Sequence, residues 1–118
     1  MDKIAREQGE NKLSMDEYQE KSKRTLPKKN KEAIKNYSMG LTGEAAEAME
    51  VVKKWSYHDH ELNEEKMIEE LGDCLHYAAG LCTYLGVNMS DVAQANIEKL
   101  KNRYPQGFSS EASRNREV

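Results

Sequence analysis

The chain is 118 residues long, with 37% hydrophobic and 33% charged residues and a formal net charge of −3. This length predicts one domain, residues 1–118, that can bury about two-thirds of its unfolded surface in a modest core. The negative charge argues against a nucleic-acid partner, and no apolar run approaches the roughly 18 residues that a membrane span needs.

Four amphipathic helices are predicted along the chain, and no alternating β-branched run indicates a strand. The first helix runs from about Ser14 to Thr25 and opens with the capping box S-x-x-E, formed by Ser14 and Glu17. The second helix follows the basic connector TLPKKNK and runs from about Lys31 to Trp55.

The third and fourth helices follow a polar loop, SYHDHELN. The third runs from about Glu64 to Leu85, where Gly86 is well placed to end it. Ser90 is expected to cap the fourth helix, and Pro105 is expected to close it. The predicted fold class is therefore all-α, a four-helix bundle.

The two ends of the chain, residues 1–13 and 106–118, are polar and are expected to be mobile or to act as arms. The N-terminal segment has no hydrophobic stretch and does not resemble a secretory signal. Cys74 and Cys82 lie eight residues apart without a C-x-x-C motif. This cysteine usage is typical of free thiols in a reducing compartment, so we expect a cytoplasmic protein.

Two pairs of acids interrupt the apolar stripes of the second and third helices. GEAAEAME places Glu44 and Glu47 three residues apart, and after a spacer of twenty-two residues EELGD places Glu70 and Asp73 three apart. At about 100° per residue, each pair has one acid at the stripe edge and its partner one step outward. Local ion pairs do not explain them: Glu44 and Glu47 lack a basic residue at i+4, and Glu70 has Lys66 only in the less favourable orientation.

These acids predict a metal site between the two helices. Acids that face a helix interface repel one another, and a buried carboxylate is costly unless it is paired or binds a metal. Ligation by oxygen alone favours Mg²⁺, Mn²⁺ or Ca²⁺, and Mg²⁺ meets its substrates through phosphate oxygens. The alternative is a solvated acidic face without a metal.

The fourth helix offers contacts for an anionic substrate. Asn96 lies within its apolar stripe, with Lys99 and Arg103 on the same side, and this combination can hold an anion or a sugar hydroxyl. Lys54 lies two turns beyond the first acid pair and is a candidate for a phosphate tail. The alternative roles are structural, because Lys99 and Arg103 can cover the core edge and Lys54 can pair with Glu50.

The sequence does not single out a residue that would recognise the base. Trp55 and Tyr18 are candidates to stack on a base, but a core position is the commoner role for such aromatic residues.

The acid pattern resembles that of the MazG-like nucleoside triphosphate pyrophosphohydrolases. DEYQEKSKRT, GEAAEAMEVVKKW, EELGDCLHYAAGL and NIEKLKNRYPQGFS stand in the order typical of that family, and the resemblance covers about residues 14 to 110. It implies an all-α fold and Mg²⁺-dependent hydrolysis of an NTP or dNTP. The bond broken lies between the α and β phosphates, and the products are the monophosphate and pyrophosphate.

The resemblance also implies roles for individual residues. One glutamate, Glu47 by preference, would orient or deprotonate the attacking water. Mg²⁺ is the expected cofactor, with Mn²⁺ as a possible substitute. The implied metal ligands are the four paired acids: Glu44, Glu47, Glu70 and Asp73. Positions that contact the nucleotide or its phosphates in the family are occupied here by Asn96, Lys99 and Arg103.

Members of the family assemble as dimers or as tetramers built of helical dimers, so a homodimer or homotetramer is expected. The third helix supports this expectation, because its apolar surface extends beyond one stripe through Tyr77, Gly80 and Tyr84.

Two other classes of protein compete with this interpretation. A non-catalytic helical interaction module would show no metal dependence and would tolerate Glu47→Gln. A di-iron or di-manganese bundle needs Glu-x-x-His twice. This chain has only Asp73-x-x-His76, once, and the helical wheel turns His76 away from the acids.

Overall fold

The computed structural model of the chain describes residues 12–114, and within that range it is all-helical, as predicted. The described residues form no strand, apart from an isolated bridge between Pro105 and Gly107. The predicted mobile segments lie in part, at 1–11 and 115–118, outside the described residues. The helices are α1 (Met15–Ser22), α2 (Lys31–Tyr57), α3 (Glu64–Leu85), α4 (Met89–Arg103) and α5 (Ser110–Arg114), with a 3-10 turn at Lys23–Thr25 between α1 and α2.

The helix boundaries follow local signals in the sequence. The predicted capping box is present: Glu17 N donates to Ser14 Oγ (3.0 Å) and Ser14 N donates to Glu17 Oε1 (2.8 Å). Helix α3 has its predicted bounds and ends at Gly86, whose φ of 75° lies in the left-handed region that glycine adopts without strain. Helix α5, one short turn, lies in the segment that was expected to be arm-like.

The predicted cap of α4 is wrong. The helix begins after Asn88, and Ser90 lies inside its first turn. Ser90 instead donates from N to Asp16 Oδ1 (3.1 Å) and from Oγ to Asp16 Oδ2 (2.7 Å). A carboxylate of α1 therefore supplies the acceptor that the local sequence was expected to provide.

Helices α2 and α3 pack against each other over the most extensive interface of the fold, and α1 covers one side of the pair. One core cluster joins Ala33 and Tyr37 of α2 to Tyr84 of α3. The Tyr84 hydroxyl donates to the carbonyl of Pro27 at 2.6 Å, which ties the connector before α2 to the end of α3. This pairing of α2 with α3 positions the acids discussed below.

A second cluster joins α3 to α4 through Ala79, Cys82 and Met89, with Tyr18 of α1 packed against it. Tyr18 is thus part of the core. Cys82 is buried there, which raises the pKa of its thiol, and both cysteines are free, as the sequence predicts.

Much of the apolar surface of residues 12–114 is left exposed by the described part of the chain. Leu71 and Leu85 of α3 are 56% and 76% exposed, and no large side chain among residues 12–114 is fully buried. The expected assembly surface at Gly80 and Tyr84 is wrong, because both residues are buried within the chain. None of the described helices is long and apolar enough to span a membrane.

Candidate metal centre

Three carboxylates from α2 and α3 converge on one side of the helix pair. One oxygen each of Glu44, Glu70 and Asp73 can be chosen so that all lie within 4.8 Å of one another. These residues line an open pocket of about 400 Å³, together with Gly43, Glu47 and Lys66. The converging atoms are all carboxylate oxygens, the donors that hard divalent cations prefer.

The helical repeat explains how the acids reach the pocket. Glu70 and Asp73 are one turn apart on α3 and face α2, where Glu44 approaches them. Glu70 is only 3% exposed, whereas Asp73 is exposed and Glu44 is intermediate. A nearly buried carboxylate needs compensation, so the charges around Glu70 decide what the pocket can hold.

Lys66 supplies part of that compensation. Its Nζ lies 3.1 Å from Glu70 Oε2 and 3.3 Å from Glu69 Oε1. The sequence-based view that Lys66 does little for Glu70 is therefore incomplete, because burial holds the Glu70 carboxylate within its reach. The i, i+4 spacing of the two residues was the available signal. A single ammonium group still leaves the three converging carboxylates with excess negative charge.

The pKa values of Glu44 and Glu70 are shifted in opposite directions. The side-chain hydrogen bond to Glu70 raises the pKa of Glu44 to about 7, aided by loss of solvation and by repulsion from Glu70, Asp73 and Glu47. The same hydrogen bond, with that of Lys66, lowers the pKa of Glu70. The two carboxylates thus share a proton near neutral pH, and a divalent cation would replace it.

The structure does not bring every predicted site residue to this cluster. Glu47 lines the pocket but is exposed, and its carboxylate is outside the converging group. Lys54 does not line the pocket; it is exposed, and its carbonyl accepts hydrogen bonds from the backbone N–H groups of His58 and His60.

The predicted nucleotide contacts on α4 are not part of the lining of this pocket. Neither Asn96, Lys99 nor Arg103 lines it, and α4 packs chiefly against α1. Asn96 and Lys99 are exposed. Arg103 is partly buried, and its Nε has no hydrogen-bond partner among residues 12–114.

His76 is turned away from the acids, as the helical wheel indicates. Its Nε2 lies 3.4 Å from the hydroxyl of Tyr37 in the aromatic core. The converging group contains carboxylates only, so nothing in the described part of the chain favours the Glu-x-x-His type of di-metal site.

Comparison with known protein families identifies the family of this chain. Residues 32–108 match the family described as the MazG nucleotide pyrophosphohydrolase domain, and this range contains all four paired acids. The chain belongs to the MazG family. The match begins in α2, so α1 of this MazG-family protein lies outside it.

A curated relative supports membership of the MazG family, but its name states no function. The "Gene 37 protein" of Mycobacterium phage L5 is 35% identical over 89 residues, which cover 72% of this chain and 78% of the relative. No solved structure is significantly similar to this MazG-family protein.

Proposed function

We propose that this MazG-family protein is a Mg²⁺-dependent nucleoside triphosphate pyrophosphohydrolase. It would hydrolyse an NTP or dNTP between the α and β phosphates and release the monophosphate and pyrophosphate. The observation that carries the proposal is the convergence of Glu44, Glu70 and Asp73 across the α2–α3 interface, in a chain whose family is described by nucleotide pyrophosphohydrolysis.

The metal ligands in this proposal are Glu44, Glu70 and Asp73, with Glu47 as a further ligand from the pocket wall. The donor set fits Mg²⁺, with Mn²⁺ as a substitute, because it consists of carboxylate oxygens and excess negative charge. A bound divalent cation supplies two things to phosphate chemistry: it withdraws charge from phosphoryl oxygens, and it makes coordinated water a better nucleophile.

Glu47 is the residue we propose to orient or deprotonate the attacking water. It lines the pocket from α2 and is exposed, so a water molecule can reach its carboxylate. Because its carboxylate lies outside the converging group, Glu47 is freer than the other three acids to act as a base. Lys66, whose ammonium group lies at the same pocket, is suited to contact a substrate phosphate when its pairing with Glu70 is relaxed.

We further propose that the protein acts as a homodimer or homotetramer. Asn96, Lys99 and Arg103 do not line the pocket of their own chain, and α4 exposes apolar side chains. We propose that these residues bind nucleotide at the pocket of another subunit, which would require assembly. Lys54 remains a candidate contact for a phosphate tail.

The decisive assay measures the products from each common NTP and dNTP with Mg²⁺, with Mn²⁺ and with EDTA. We expect pyrophosphate and the monophosphate in equal amounts, and none in EDTA. Glu70→Gln and Glu47→Gln are expected to lower kcat by about a hundredfold or more, because each removes charge at the reacting site.

Two matched variants serve as controls. Glu50→Gln changes an exposed glutamate one turn from Glu47 on α2, and Glu65→Gln changes an exposed glutamate in the first turn of α3. Both should retain the wild-type rate. Release of orthophosphate would contradict α–β cleavage. An absence of turnover with every nucleotide, together with a Glu47→Gln variant indistinguishable from wild type, would favour the interaction module.

A further inference from the structure

Two glycines at the α2–α3 interface each receive a tyrosine from the opposite helix. Gly40 of α2 lies against the ring of Tyr77, and a methyl group at Gly40 would be 2.5 Å from both Cε1 and Cζ of that ring. Gly80 of α3 lies against Tyr37, and a methyl group there would be 2.5 Å from Cδ2 of that ring. Only a residue without a side chain fits either position, since real carbon atoms do not approach so closely.

The two tyrosines also pack against each other. Their ring centroids are 5.1 Å apart with an interplanar angle of 78°, the edge-to-face arrangement that aromatic pairs favour. Tyr37 is 7% exposed and belongs to the core cluster that also holds Tyr84. Each helix thus contributes one projecting ring and one depression, and we call these four residues the tyrosine–glycine lock.

The lock and the acids follow one spacing in the sequence. Helix α2 reads Y-x-x-G-x-x-x-E-x-x-E from Tyr37 to Glu47, and α3 reads E-x-x-D-x-x-x-Y-x-x-G from Glu70 to Gly80. Because the helices run antiparallel, the register that sets Tyr37 against Gly80 and Gly40 against Tyr77 also sets the two acid pairs opposite each other.

We infer that the tyrosine–glycine lock fixes the register of α2 against α3 and thereby holds the carboxylates at the separation a metal ion needs. The four lock residues are positioning residues, not ligands. A shift of one helical turn would displace the acids by about 5.4 Å along the axis. That exceeds the 4.8 Å within which the three ligand oxygens now lie, whereas metal–ligand distances vary by only tenths of an ångström.

Two opposed rings restrict the helix pair more than one would. With one ring in one depression, the two helices could still rotate about the contact and slide slightly along their axes. Two such contacts, one from each helix, oppose sliding in both directions. The lock is one helical turn from the acids on each helix, so its effect reaches them through continuous α-helix.

This inference rests on the proposed metal site, so its test measures metal binding directly. The affinity of each protein for Mn²⁺ is determined from the free-ion signal in electron paramagnetic resonance, well below the thermal midpoint of each variant. Circular dichroism confirms helicity. We expect Gly40→Ala and Gly80→Ala to weaken Mn²⁺ binding by about tenfold or more, since the added methyl group forces the helices apart or out of register.

The matched control is Gly72→Ala. Gly72 is also on α3 and lies between two of the proposed ligands, but a methyl group there meets nothing within 4 Å. Its affinity for Mn²⁺ should stay within about twofold of wild type. Tyr37→Phe and Tyr77→Phe keep the rings and should bind as wild type does, which separates ring shape from hydrogen bonding.

Tyr77→Leu covers the case in which the alanine variants fail to fold. It removes the ring without adding atoms at Gly40, and it should weaken Mn²⁺ binding several-fold while the protein remains helical. Wild-type affinity in a folded Tyr77→Leu, Gly40→Ala or Gly80→Ala protein overturns the inference and leaves the metal site intact. A wild-type protein that binds no Mn²⁺ overturns the metal site and this inference together.

Discussion

The protonation state of Glu44 decides the net charge of the pocket. Glu70 is nearly buried and is already paired with Lys66, and Asp73 approaches from the next turn of α3. Glu44 is the member of this group whose pKa is raised, to about 7. The protein without metal therefore carries a proton where the metal-bound protein would carry a cation.

The titration of Glu44 predicts an unusual pH dependence of stability in EDTA. The free energy of unfolding should fall as pH rises from about 4.5 to about 7, because folded Glu44 retains a proton that the unfolded chain releases. Glu70 does not offset this decline: its lowered pKa gives stability that is present above its ordinary value and lost only at lower pH. Urea unfolding across this range measures the slope.

The control for this prediction is Glu44→Gln, which should remove the decline attributable to the pocket. Saturating Mg²⁺ should also restore stability at neutral pH, since binding to the folded state alone is stabilising. An identical slope in wild type and Glu44→Gln would contradict the shared proton.

Gln19 is one of the side chains that hold the short helix α1 in place. Its eight residues are too few for a stable isolated helix. Gln19 is 6% exposed; its Nε2 donates to Val87 O (2.9 Å) and Thr83 Oγ1 (3.1 Å), and its Oε1 accepts from Met89 N (2.8 Å). Gln19 thus joins α1 to the end of α3 and the start of α4.

Gln19→Leu should lower the free energy of unfolding by about 2–4 kcal/mol. The buried Met89 N–H would lose its side-chain acceptor, and a buried polar group left unsatisfied costs about 1–3 kcal/mol. The part-buried Val87 carbonyl would also lose its side-chain donor, at a smaller cost because water can reach it. Gln94→Leu on the exposed face of α4 is the matched control and should change stability by less than about 0.5 kcal/mol. Equal stability of the two variants in urea would show that the Gln19 bonds contribute nothing.

At the scale of the whole molecule, the apolar surface that residues 12–114 leave exposed is where the proposed assembly would form. Helix α4 packs chiefly against α1 and leaves Val92, Ile97 and Leu100 between 39% and 49% exposed. Trp55, a candidate for stacking on a base, is itself 50% exposed and so is not core within one chain. A second copy of the chain would cover part of this surface.

Light scattering coupled to size exclusion tests the proposed assembly. The wild-type protein should have the mass of a dimer or tetramer. Ile97→Glu should shift it toward the monomer and reduce nucleotide turnover, because a charge cannot be buried in an apolar interface without a partner. Lys101→Glu, an exposed change on the same helix, should leave the mass unchanged. A wild-type protein that is monomeric and fully active would contradict the proposed assembly.

Sequence alone was sufficient for the features that depend on neighbours along the chain. Helical periodicity, the Ser14–Glu17 capping box and the terminating Gly86 are local signals, so the start of α1 and the bounds of α3 were predictable. The two acid pairs were visible for the same reason. Their spacing pointed to a metal site, which stays a prediction, and to the MazG family, which the family match confirms.

The tertiary structure decided what depends on contacts between distant segments. Asp16 replaces Ser90 as the acceptor at the start of α4, Gln19 bridges three helices, and burial of Glu70 gives Lys66 its role. None of these follows from periodicity, because each depends on how one helix lies against another. The packing of α2 on α3 fixes that arrangement, and only this packing brings carboxylates from separate helices within reach of one ion.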